Sequence, residues 1–120
     1  MKIDLPLDRT ARETLRQASK TLYGHMHVME CILVIGQAEG ELFYQAGLAE
    51  AVACNANQAG RVIDKLTSLG VAELVPRDPG QSRDYHRRLP SVLWETTALQ
   101  AMELLHRPAG SAVAKLADHR

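Results

Sequence analysis

Near the middle of the sequence lie three side chains that can each form two hydrogen bonds to one planar partner: Asn57, Gln58 and Arg61. An amide pairs in this way with the edge of adenine, and a guanidinium pairs with the edge of guanine. Small neighbours, among them Ala56 and Gly60, leave room for a close approach. We therefore treat the three residues as candidates for reading base edges in duplex DNA.

Basic residues follow this segment and could contact phosphates. Lys65 lies near its end, and the next stretch of chain adds Arg77, Arg83, His86, Arg87 and Arg88. Side chains alternate across a strand, so His86 and Arg88 should share one face, and Tyr85 and Arg87 the other. We expect basic residues of this stretch to meet the DNA backbone or the minor groove, and Tyr85 to cover the core.

Other kinds of site find less support in the sequence. His27 and Cys31, four residues apart and close to His25, have a spacing that permits joint metal ligation. No Cys-rich or His-rich tract accompanies them, so we expect Cys31 to be a core residue and the protein to need no metal or cofactor. The sequence also lacks a glycine-rich phosphate loop, a nucleophile elbow and a His-Glu-x-x-His motif, which argues against an enzyme.

The candidate base-reading residues lie on a segment with clear helix signals. Asn55 is a good N-cap, Gln58 three residues later completes a capping box, and Gly70 can end the helix in a left-handed conformation. Between these signals, apolar residues recur at helical spacing and form one stripe: Ala59, Val62, Ile63, Leu66 and Leu69. The sequence therefore predicts an amphipathic helix over about 56–69.

The remaining elements follow from the same kinds of signal. Asp8 and Gly24 bound an amphipathic helix over 8–23, and Ser91 can cap a last long helix over 91–107. A buried helix is expected over 25–37, a short strand over 41–44 and a short helix over 46–55. Strands over 71–75 and 84–89, joined by the turn-rich RDPGQS, predict a hairpin. Residues 108–120 are expected to form a tail.

Composition and charge set the broad class of the protein. The 120 residues are 46% hydrophobic but only 4% aromatic, which favours a helical core of aliphatic residues. Fourteen basic residues balance fourteen acidic ones, although residues 55–89 hold six basic and four acidic ones and are mildly positive. No signal peptide or membrane-spanning stretch is evident, so we expect a cytoplasmic protein with reduced cysteines.

The chain from Leu48 to Leu89 resembles the winged helix-turn-helix domain of bacterial transcriptional regulators, broadly the MarR- and ArsR-like group. The resemblance is carried by LAEAVACNANQAGRVIDKLTSLGVAELV followed by RDYHRRL. It implies a mostly helical α+β fold with one domain over 1–120: a winged-helix core over 25–90 between flanking helices. It also implies a recognition helix near 56–69 in the major groove and a basic wing near 72–89.

Apolar stripes on the first and last helices have no assigned partner and predict a homodimer, with Leu15, Leu22, Trp94, Met102 and Leu105 at the interface. Duplex DNA is the expected partner, no membrane is expected, and any effector is unknown. Two alternatives stay open. One is a winged-helix module that binds protein instead of DNA, which suits the balanced charge. The other is a metal-responsive repressor.

Overall fold

The computed structural model describes residues 2–107, which form five helices and three short strands. The helices are α1 (Arg9–Tyr23), α2 (Val28–Gln37), α3 (Gln45–Val52), α4 (Ala56–Ser68) and α5 (Val92–His106), and the strands are β1 (Leu42–Phe43), β2 (Ala72–Leu74) and β3 (His86–Arg88). The predicted tail over 108–120 lies outside the described residues. None of the helices within 2–107 is long and apolar enough to cross a membrane.

Helix α2 is the central element, as its apolar sequence predicted. Seven of its ten residues are buried. One side, with Ile32 and Ile35, joins a core cluster with α3, α4 and Val71–Ala72. Another side, with Met29 and Leu33, joins a second cluster with α1, α5 and Ile3 near the amino terminus. The helix therefore connects the helix-turn-helix to the two flanking helices.

The start of α2 differs from the prediction. The helix begins at Val28 and not at His25, because a side chain from α1 caps it. Ser19 is fully buried, and its Oγ accepts hydrogen bonds from the backbone N–H groups of Val28 (3.0 Å) and Met29 (3.2 Å). The same hydroxyl donates to the carbonyl oxygen of His25 at 2.6 Å. Residues 24–27 therefore form a pinned turn between α1 and α2.

The three strands form one antiparallel sheet in the order β1-β3-β2. Each is shorter than predicted, and β1 consists of two residues. Strand β3 lies in the middle, where His86 is opposite both Phe43 of β1 and Leu74 of β2. The hairpin of β2 and β3 leads away from the end of α4, and this order of elements is that of a winged helix-turn-helix.

Candidate nucleic-acid interface

Helix α4 begins with the capping box that its sequence predicted. The N–H of Gln58 donates to Asn55 Oδ1 at 2.8 Å, and the N–H of Asn55 donates to Gln58 Oε1 at 3.0 Å. The inward stripe is buried in the first core cluster: Ala59, Val62, Ile63 and Leu66. Leu69, by contrast, is exposed. The opposite side of the helix therefore faces solvent.

The predicted base-reading residues do not share one environment. Asn57 and Arg61 are exposed on the solvent side of α4, and so is Lys65 one turn further on. Gln58 is half-buried, and its side chain is engaged in the capping box. Asn57 and Arg61 thus form an exposed amide-and-arginine edge, while Gln58 helps to start the helix that carries it.

Packing within the helix-turn-helix explains why position 60 is a glycine. A Cβ atom at this position would lie 2.8 Å from Nε2 of Gln45, the first residue of α3. That nitrogen donates to the carbonyl oxygen of Ala56 at 2.6 Å. The glycine therefore lets α3 and α4 come close enough for a side chain of one helix to bind the backbone of the other.

The hairpin, which we call the wing (72–88), carries arginines that are already paired with carboxylates. Arg77 Nε lies 2.6 Å from Asp84 Oδ1, and Arg87 Nη1 lies 3.1 Å from Glu73 Oε1. The first pair raises the pKa of Arg77 and lowers the pKa of Asp84, mainly through their hydrogen bond. All four side chains are exposed, where such pairs are weak. Both arginines can therefore exchange a carboxylate for a phosphate at low cost.

Contacts with the Tyr44 ring hold the wing against the helix-turn-helix, from the segment just before β3. The Arg83 guanidinium lies 3.9 Å from the ring centre of Tyr44, which immediately precedes α3. Tyr85 contacts the same ring edge-on, with ring centres 5.6 Å apart. Sequence reasoning missed Tyr44 in this role, because the contact joins residues about forty positions apart. Arg83 itself stays exposed.

The face of strand β3 that carries His86 and Arg88 packs against the protein. Arg88 Nη1 donates to the carbonyl oxygens of Ile35 (2.6 Å), Gly36 (3.2 Å) and Ala38 (3.0 Å) and thereby caps the end of α2. His86 stacks on Phe43, with ring centres 5.8 Å apart, and its Nδ1 is buried. His86 and Arg88 do share a face, as predicted, but that face packs on the protein. The two side chains are thus occupied within the protein, contrary to the predicted role of His86 and Arg88 at the DNA backbone.

An ion pair connects α1 to the helix-turn-helix. Arg16 Nε lies 2.6 Å from Glu30 Oε1, and the Glu30 side chain is only 5% exposed. Arg16 Nη2 also donates to the carbonyl oxygen of Val52 at 2.8 Å, at the end of α3. Burial raises the pKa of Glu30, and the hydrogen bond from Arg16 opposes that change. Sequence reasoning missed these partners of Arg16, because they lie 14 and 36 positions away along the chain.

The candidate metal ligands are not brought together as a cluster. His27 and Cys31 are both buried at the start of α2, and burial lowers the pKa of His27 to about 4. Burial also raises the pKa of the Cys31 thiol. Within residues 2–107, no three His, Cys, Asp or Glu side chains are grouped so that they could hold a metal ion.

The residues predicted for a dimer interface differ in exposure. Leu15 is fully buried in the second core cluster of its own chain, which leaves none of its surface for a partner. Leu22 is 54% exposed. Met102 and Leu105 on α5 are half-buried. Trp94 is half-buried as well, and its Nε1 donates to the carbonyl oxygen of Leu89 at 2.8 Å.

Two solved structures share this architecture. AbsC, a MarR family transcriptional regulator from Streptomyces coelicolor, aligns with a TM-score of 0.60 and 12% identity over 93% of this chain and 87% of AbsC. Wild-type MarR (apo form) from E. coli aligns with a TM-score of 0.55 and 14% identity over 90% of this chain and 84% of MarR. The predicted winged helix-turn-helix fold is thereby confirmed. Both regulators belong to the MarR side of the MarR- and ArsR-like resemblance, and the ArsR-like side gains no support. No family model and no curated protein matches the chain.

Proposed function

We propose that the protein is a sequence-specific, duplex-DNA-binding transcriptional regulator of the cytoplasm, without enzymatic activity. The observation that carries the proposal is the exposed edge of α4, formed by Asn57 and Arg61, on the helix that directly precedes the arginine-bearing wing. Proteins with the same fold include the two MarR-type regulators described above. A slim helix edge with hydrogen-bonding side chains is what entry into the major groove requires.

Within this proposal, Asn57 pairs with an adenine and Arg61 with a guanine, and each contact discriminates against a wrong base by about 1–3 kcal/mol. Gln58 remains a weaker candidate for base reading, because contact with a base would disturb the capping box. Lys65 contacts a phosphate. From the wing, Arg77, Arg83 and Arg87 reach the DNA backbone or the minor groove. Arg77 and Arg87 do so after their ion pairs with Asp84 and Glu73 have broken.

We propose further that the protein acts as a homodimer formed by α1 and α5. Both helices carry apolar side chains that the rest of residues 2–107 leaves exposed, including Leu22 and Leu99. Met102, Leu105 and Trp94 would contribute the surface that they still expose. A two-fold arrangement would present two α4 helices to half-sites about 34–36 Å apart. Sedimentation equilibrium tests this point: a monomer at micromolar concentration would contradict it.

The DNA-binding proposal is tested by selecting duplexes from a random pool and then measuring affinity. Arg61→Ala should weaken binding to the selected site by about 1–3 kcal/mol and relax the preference at one base pair. Lys65→Ala should weaken binding to every sequence and reduce the slope of affinity against salt by about one. Arg9→Ala is the matched control, because Arg9 is an exposed cation at the start of α1 and lies outside the helix-turn-helix and the wing.

The competing proposal is a winged-helix module that binds a protein. It is favoured by the balanced net charge and by the carboxylates that pair with Arg77 and Arg87. A gel shift against mixed genomic fragments separates the two. Retention that weakens with salt supports DNA binding. No retention at low salt supports the protein-binding module.

A further inference from the structure

Helix α3 begins with two residues that do not favour a helix start. Its N-cap is Tyr44, which forms no side-chain hydrogen bond to the helix, although Ser, Thr, Asp and Asn are the residues that usually cap a helix in this way. Gly47 follows within the first turn, and glycine is among the least favourable residues in a helix. The start of α3 is therefore less stable in itself than the fold would allow.

The position of the Tyr44 ring explains the glycine. A Cβ atom at position 47 would lie 2.8 Å from Cζ of Tyr44 and 3.1 Å from Cε1 and Cε2, so a side chain at this position would displace the ring. The ring is thus packed on the backbone of α3, and Tyr85 contacts it edge-on with ring centres 5.6 Å apart. Two locally unfavourable residues keep one aromatic ring in place, which indicates a role for the ring beyond α3 itself.

The same ring contacts a cation of the wing. Arg83 Cζ lies 3.9 Å from the centre of the Tyr44 ring, within the range of a cation–π interaction. Within residues 2–107, Arg83 forms no ion pair, whereas Arg77 and Arg87 each bind a carboxylate. An aromatic ring carries no net charge, so it does not neutralise the guanidinium. Arg83 can therefore bind an anion without first breaking an ion pair.

Further contacts connect this arginine to the amino-terminal end of α4. Gln45 directly follows Tyr44, and its Nε2 donates to the carbonyl oxygen of Ala56, the first residue of α4, at 2.6 Å. On the wing, the carbonyl oxygen of Arg83 accepts a hydrogen bond from Gln81 Nε2 at 2.5 Å, which holds the backbone at that position. The start of α3 is therefore a common support for the wing and for the helix that carries the candidate base-reading residues.

We propose that Tyr44 is a positioning residue for DNA binding: its ring holds the Arg83 side chain in the conformation in which the guanidinium binds a DNA phosphate. The inference rests on the proposed DNA-binding function and assigns a role to a residue outside the recognition helix and the wing. Affinity falls with the fraction of chains that are in the binding conformation. A cation–π contact at an exposed site shifts such a population by about two- to fivefold, so loss of the ring should weaken DNA binding by that factor per chain.

A double-mutant cycle on DNA affinity tests the inference. A fluorescently labelled duplex is titrated at constant ionic strength with wild type, Tyr44→Leu, Arg83→Ala and the double variant, and binding is followed by anisotropy. Arg83→Ala and Tyr44→Leu should each weaken binding, the latter by about two- to fivefold per chain. In the Arg83→Ala background, Tyr44→Leu should cause no further loss, because the ring then has no cation to hold.

Two controls separate positioning from support of the fold. Tyr44→Phe keeps the aromatic ring and should bind DNA like wild type. Tyr44→Leu combined with Arg87→Ala should show the sum of the two separate losses, because Arg87 is paired with Glu73 and not with the ring.

An equal loss from Tyr44→Leu with and without Arg83 would mean that Tyr44 only supports the start of α3, and it would overturn the inference but leave the DNA-binding proposal intact. Unchanged or tighter binding by Tyr44→Leu would overturn it as well. If Tyr44→Leu fails to fold, Gly47→Ala takes its place in the cycle with the same expected results, because alanine favours the helix while its Cβ displaces the ring. Absence of binding by wild type to any duplex at low salt would instead reject the DNA-binding proposal itself.

Discussion

Removal of Arg16 should reveal how strongly the fold depends on one buried ion pair. In Arg16→Ala, Glu30 would keep its buried position but lose the guanidinium 2.6 Å away. Breaking a buried pair from one side costs about 3–5 kcal/mol, because the remaining charge has no compensation. Arg16 is 23% exposed, and Arg12 Nε still lies 3.7 Å from Glu30. We therefore expect a loss near the low end, about 3 kcal/mol in the free energy of unfolding.

The loss should depend on pH in a specific direction. Burial already raises the pKa of Glu30, and Arg16 opposes this change. Without Arg16 the pKa of the folded state rises further above that of the unfolded state, so the folded protein takes up a proton more readily. The destabilisation caused by Arg16→Ala should be largest near pH 8. It should shrink as the pH falls towards the ordinary pKa of a carboxyl group, because Glu30 then becomes protonated and neutral.

Urea denaturation at pH 8.0, 6.5 and 5.0 measures both effects. Arg9→Ala, on the exposed side of the same helix, should change the free energy of unfolding by no more than about 0.5 kcal/mol. Glu30→Gln combined with Arg16→Ala should be more stable at pH 8.0 than Arg16→Ala alone, since no buried charge remains. A loss below about 1 kcal/mol, or a loss that is the same at all three pH values, would refute the reasoning.

Three further changes test other contacts. Burial lowers the pKa of His27 from about 6.5 in the unfolded chain to about 4 in the fold, so wild type should lose about 3 kcal/mol of stability as the pH falls from 6.5 to 4. His27→Leu should flatten that decline in urea melts. Arg88→Met should lower stability by about 2 kcal/mol but leave the DNA affinity of the folded chain unchanged, as anisotropy would show. Gly60→Ala should stabilise a Gln45→Ala background by about 1 kcal/mol in urea melts and stabilise wild type by less.

Local signals explain which parts of the fold could be predicted. The bounds of α4 follow from Asn55, Gln58 and Gly70, all within the helix or next to it, and the structure confirms them. The start of α2 did not follow from its own residues, because its cap is Ser19 on another helix. A side chain that arrives from a distant element leaves no periodic pattern in the segment it caps.

The orientation of the wing required information that the sequence did not contain. Alternation correctly paired His86 with Arg88, but it could not say which face of the strand packs inward. That choice is made by contacts with α2, about fifty residues earlier in the chain. Arg16 is a similar case, because its partners lie 14 and 36 positions away along the chain, and only the fold shows that it reaches Glu30 and the end of α3.

The carboxylates on the wing, Asp84 and Glu73, would affect how DNA affinity depends on salt concentration. In the free protein, Asp84 and Glu73 occupy the places beside Arg77 and Arg87 that dissolved chloride would otherwise take. If a phosphate replaces them, these arginines release no chloride, and the freed carboxylates attract cations that the nucleic acid has just shed. The slope of log affinity against log salt concentration would then be smaller than the number of arginines that contact phosphates would predict. A weak salt dependence would therefore be compatible with a wing whose Arg77 and Arg87 both contact DNA phosphates.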